Sequence, residues 1–219
     1  MKGEWKMSGK RFLFILTAVL LWSGVSALPG SAGWFVDLYM GGARTSDNDA
    51  TATVRGVREA ETVNFTLSPT GGLRAGYWFE KLPWLGVAFD ASVFKPEKYT
   101  LVAPLSGLIM LRYFLLPSEA APDGELQPYL AVGPGVFVMR AKSSLNSTLP
   151  GTFSAASVDP GLDLRGGLAW QFHKNIAMFG EYRFTHVYAK FRDTTSNPST
   201  TLDTNISTSH FLFGMSYRF

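Results

Sequence analysis

The chain contains no cysteine, which removes disulfide frameworks, thiolate metal sites and thiol chemistry together. It has three histidines, and none sits among acids or other histidines at metal-ligand spacing, so no metal site is expected. Asp47-Asn48-Asp49 is acid-rich like a calcium loop but lacks the glycine and the closing glutamate, and reads as a solvated loop tip. Beyond the N-terminus no run is apolar and long enough to cross a bilayer as a helix. Gly71-Gly72 and Gly133-Pro134-Gly135 fall inside strand patterns, so they are not phosphate loops, and no cofactor is expected. Charge is low at 17% while aromatics reach 14% and glycines number 22. That mixture suits a strand-rich chain with tight internal contacts better than a helical one.

The first 32 residues read as a secretory signal. Lys2, Lys6, Lys10 and Arg11 form a positive leader and residues 12–22 an apolar core, too short for a membrane anchor. Cleavage fits after Ala27 or after Ala32. The leader holds four of the twenty basic residues and one of the seventeen acids, leaving sixteen of each. The remainder, residues 33–219, is therefore formally neutral and reads as a single domain. Nucleic-acid binding and polybasic attachment to a membrane surface lose their support.

The last strand organises the rest. Phe211, Phe213, Met215, Tyr217 and Phe219 alternate with His210, Gly214, Ser216 and Arg218, with Leu212 as the one apolar exception. Period two means a strand with one apolar and one polar face, and either a second sheet or lipid must cover the apolar face. The same alternation recurs over residues 34–42, 63–79, 85–94, 105–115, 127–140, 158–172 and 176–187. Leu38, Tyr77, Phe89, Ile109, Leu130, Leu164 and Met178 represent the outward set. Long polar loops are expected at 45–60, 142–157 and 190–208, a shorter one at 95–97, and turns at 80–84, 117–125 and 173–175. Pro134 cannot donate to a ladder paired on both sides, and a bulge is expected there.

Eight strands with long connectors at one end and short ones at the other predict an all-β, eight-stranded antiparallel up-and-down transmembrane β-barrel. Closure removes sheet edges that lipid would leave unsatisfied. Trp34, Phe79, Trp84, Trp170, Phe172, Tyr217 and Phe219 then fall at the strand ends nearest the periplasm, where an interfacial aromatic girdle belongs.

The segments LRAGYWF (73–79), QPYLAVGPG (127–135), FGEYRF (179–184) and GMSYRF (214–219) resemble the OmpA/OmpX-like outer-membrane β-barrel family, in order and spacing across residues 33–219. The resemblance implies residence in a bacterial outer membrane among lipid and lipopolysaccharide. It also implies recognition by the barrel assembly machinery through the C-terminal strand. For function it implies little, since such barrels include adhesins, anchors and narrow channels. No peptidoglycan-binding domain follows the barrel here, so cell-wall anchoring is not expected.

Inward parity collects Asp37, Arg74, Asp90, Arg112, Asp163, Arg165, Glu181, Arg183 and Arg218 into a barrel-interior charge network. Eight strands leave room only for side chains, and unpaired ions there would cost several kcal/mol. The leading expectation is a salt-bridge plug in a structural, surface-interaction or adhesin-like protein, a monomer with an extracellular ligand at its loops. The alternative is a narrow, mostly closed pore in which Glu181 exchanges partners among Arg74, Arg112 and Arg183. An enzyme is not expected. Of the three histidines only His186 has outward parity near the outer rim, and no nucleophile motif stands beside it in sequence.

Overall fold

The computed structural model describes residues 33–46, 48–54, 57–63, 67–97, 100–118, 121, 124–144, 152–193 and 200–219. The expected leader lies outside these residues. So does Asp47 of the expected loop tip. No helix occurs among the described residues, and ten strands do: β1 (Gly33–Thr45), β2 (Asn48–Val54), β3 (Val57–Val63), β4 (Ser68–Phe79), β5 (Leu82–Glu97), β6 (Thr100–Arg112), β7 (Leu126–Ser144), β8 (Thr152–His173), β9 (Ile176–Asp193) and β10 (Thr200–Arg218).

Eight of them, β1 and β4 to β10, form an antiparallel meander that closes through pairing of β1 with β10. The C-terminal strand thus completes the barrel. Following paired residues from Gly33 through Trp78, Gly86, Met110, Ala131, Arg165, Arg183 and His210 returns to β1 at Ala43, ten residues beyond the start. A stagger of ten over eight strands tilts them by about 40° from the barrel axis.

The alternation read in the sequence is the inside–outside division of the wall. Leu38, Phe89, Ile109, Leu130 and Phe213 are exposed, while their neighbours Asp37, Asp90, Met110, Ala131 and Leu212 are buried. A one-residue slip would invert every strand; the ladders keep every inward charge of the sequence inside.

Three boundaries differ from expectation. The polar stretch 45–60 is not an open loop: β2 and β3 pair as a hairpin, and β2 adds to β10 at Thr201–Asp203. The loops expected at 142–157 and 190–208 shrink, because β7 runs to Ser144, β8 begins at Thr152, β9 runs to Asp193 and β10 begins at Thr200. These strands have 18–22 residues, about twice the ~9–11 needed to cross a bilayer. Where a strand rises out of lipid, water covers both faces and the apolar–polar alternation fades. The backbone ladder continues without it.

Pro134 makes no bulge. Its ladder to β8 is continuous through Leu162, and toward β6 the pairing skips from Ser106↔Gly135 to Ile109↔Val132 without a change of register. The interruption accommodates a residue that lacks an N–H. Gly133 is needed beside it, because a Cβ there would lie 1.7 Å from the Gly107 carbonyl oxygen.

Candidate functional site

The lumen is the place where polar chemistry gathers, and it is filled in layers. At the end bearing the short turns, the Arg112 Nε donates to the Pro83 carbonyl (2.8 Å) and its guanidinium stacks 4.1 Å from the Trp78 ring. Arg218 donates to the side-chain oxygens of Gln127 (3.0 Å) and Gln171. These two arginines are held by amides, a carbonyl and rings. Above them sit Phe35, Trp78, Met110, Ala169 and Phe179 as an apolar layer.

The middle of the lumen carries the ions. Arg74 bridges Asp37 and Glu181, each at 2.6 Å. Arg165 reaches Asp90 and Asp163 at 2.8 Å and Glu181 at 3.3 Å. Arg183 meets Asp163 at 2.7 Å and Asp90 at 3.7 Å. Three guanidiniums thus face four carboxylates, and neutral donors take up the excess acceptors. Tyr39 donates to Asp90 (2.7 Å), Tyr129 to Glu181 (2.7 Å) and Ser106 to Asp163 (2.7 Å). Arg74 also lies 5.1 Å from the Phe179 ring centre, so its outer face is covered by an aromatic π cloud. Each of the seven ions is at most 4% exposed, and only dense mutual pairing makes that burial tolerable.

Of the nine inward charges, the structure brings seven into one network. Arg112 and Arg218 stand apart at the base. Of the three partners expected for Glu181, Arg74 is in contact with it, Arg112 and Arg183 are not ion-paired to it, and Arg165 is the second partner instead. The correction follows from stagger: parity fixes a residue's face, while its height depends on the tilt.

His210 and Thr185 lie above the ions, with Phe94 edge-on to the imidazole at 4.8 Å. Phe94, Val102, Phe137, Met139, Val187 and Ile206 then form a second apolar layer toward the long-strand end. A small cavity opens near the base, against Asp37, Arg74, Arg112 and Arg218, with room for about one or two waters. It also meets two buried atoms without a partner, Asp37 Oδ1 and Arg218 Nε. A water there could accept from the Arg218 Nε–H and donate to Asp37 Oδ1. The described residues hold no His/Asp/Glu group arranged for a metal ion.

Outside, the girdle aromatics pack in pairs at the short-turn end: Trp34–Tyr77 (5.3 Å), Trp170–Phe172 (5.6 Å) and Tyr217–Phe219 (5.0 Å). Near the opposite rim the wall carries a feature the sequence hid. His186 Nδ1 lies 2.9 Å from Ser207 Oγ, and Tyr182 OH lies 2.9 Å from Ser209 Oγ. The partners are 21 and 27 residues apart, so only the β9–β10 register could have revealed them. Among the described residues no carboxylate orients the imidazole, and the pair lacks the third member of a nucleophilic triad.

The fold matches solved outer-membrane barrels. The Neisserial surface protein A is similar over 85% of this chain and 97% of its own, with 16% identity and a TM-score of 0.52. The outer-membrane protein OprG of Pseudomonas aeruginosa is similar over 88% of this chain and 99% of its own, with 16% identity and a TM-score of 0.56. No family model and no curated protein matches the sequence.

Proposed function

We propose that this chain is a closed outer-membrane scaffold that makes surface contacts through the strands and loops rising above its outer rim. The observation that carries this reading is the layered lumen, with seven paired ions between two apolar layers. A hydrated path would have to break a guanidinium–carboxylate lattice and then part Phe94, Phe137 and Met139. The exposed apolar wall with aromatic pairs at one end supports a lipid setting. The extension of β7 to β10 and the β2–β3 hairpin supports the surface role. Among the described residues β3 pairs with β2 alone and β2 with β10, so the hairpin extends the sheet beyond the closed ring of eight. The C-terminal strand is the one the assembly machinery would read, and the closed ring favours a monomer.

The reading is non-enzymatic: among the described residues no carboxylate is hydrogen-bonded to the His186 imidazole beside Ser207. Two experiments test the reading. In planar bilayers the purified protein is expected to be silent. Discrete openings abolished by Glu181→Ala would replace the scaffold with a gated pore. The lipid A mass profile of cells expressing the protein is expected to be unchanged, and a lost or added acyl chain would reveal an activity.

A further inference from the structure

The outward wall is not uniformly oily up to one height. On β7 and β8 the outward residues stay apolar through the paired Val138 and Val158, the latter 65% exposed. On β1, β9 and β10 they turn polar earlier. Arg44 stands opposite Ser209 across β1–β10, and His186 stands opposite Ser207 across β9–β10. Arg44 and His186 are exposed, and each hydroxyl pair is already formed, Ser207 with His186 and Ser209 with Tyr182. These groups form a polar notch on one flank, at the upper edge of the apolar wall.

From this geometry, and resting on the outer-membrane reading above, we propose that the notch binds the phosphorylated head group of an outer-leaflet lipid. Two strand spacings and a two-residue step separate the Arg44 and His186 backbones by about 12 Å. Both side chains can therefore reach one phosphate placed over Ser207 and Ser209. The chemistry is one-sided: the guanidinium, the imidazole Nε2–H and the one hydroxyl hydrogen left over in the Tyr182–Ser209 pair can donate, and phosphate oxygens only accept. A phosphate at Nε2 selects the tautomer in which Ser207 donates to Nδ1. The lipid's own acyl chains then lie along the apolar wall below, beside Phe211 and Phe213, which a free anion has no means to use.

Native mass spectrometry of the detergent-solubilised full chain tests this, with diphosphorylated lipid A and its dephosphorylated form as probes. The wild type is expected to retain the phosphorylated form about tenfold better, the loss of one charge-assisted contact amounting to about 1.4 kcal/mol. Arg44→Ala should remove most of that preference and Ser207→Ala part of it. Arg140→Ala, an exposed arginine on β7, should leave it unchanged. Equal retention of the two lipids by the wild type overturns the proposal. Displacement of the lipid by millimolar inorganic phosphate would make the notch a free-anion site and overturn it too. Each sample is run unboiled on a gel in parallel. A retained fold-dependent shift with no lipid discrimination defeats this inference alone, whereas a missing shift defeats the barrel reading beneath it.

Discussion

The central ionic layer and the apolar layer near the outer rim close the same lumen by opposite means. Around Asp163 closure depends on direction: Arg165, Arg183 and Ser106 all point at one carboxylate. Around Phe137 it depends on volume, since Phe94, Val102, Met139 and Val187 need only fill space. A directional layer fails when one partner goes, because the remaining buried charges have nowhere to turn. A packed layer tolerates exchange among side chains of similar size. The wall supplies both, because a closed eight-stranded ring leaves an interior that side chains must fill.

The contrast can be broken most forcefully at Asp163. Asp163→Ala should lower the unfolding free energy by about 3–5 kcal/mol, read by urea titration of the unboiled gel band, and Asp163→Asn should recover little of it. Phe137→Leu in the same assay should cost about 1.5 kcal/mol or less. If the two variants were equally damaging, the distinction between direction and volume would be lost. The base offers a milder case: Arg218→Met leaves the Gln127 and Gln171 oxygens short of one donor and should cost about 1–2 kcal/mol. Smallest of all is the response to salt. Raising ionic strength from about 0.1 to 1 M shortens the screening length from roughly 10 to 3 Å, yet the network is shielded from solvent. The unfolding midpoint of the wild type should therefore move no more than that of Asp163→Asn, and a selective loss in the wild type would mean that ions enter the lumen.

Much of this was legible before any coordinates. The alternation in residues 34–42 and 209–219 placed Asp37 inside and Phe213 outside, and the spacing of such segments gave eight strands and their closure. Legibility stopped where the physics that writes the pattern stopped. The apolar–polar alternation ends before the strands do, so strand residues such as 141–144 and 200–204 read as loop. The β2–β3 hairpin was hidden too, because its strands carry no clean apolar–polar alternation. Partners within the lumen were also illegible, because Glu181 finds Arg74 and Arg165 through the stagger of ten, and no single strand carries that number. The pairing of His186 with Ser207 belongs to the same class, a consequence of register between segments that each look unremarkable alone.

The account rests on the outward side chains meeting lipid while their neighbours meet one another. The absence of cysteine permits a direct measurement: nitroxide labels on Leu130→Cys and Ala131→Cys in reconstituted vesicles, probed by relaxation with molecular oxygen and with a water-soluble nickel chelate. The account predicts that the label at residue 130 responds strongly to oxygen and little to nickel. The label at 131, where it is accommodated, should be shielded from both. A strong nickel response at residue 130, with oxygen access no greater there than at 131, would contradict it.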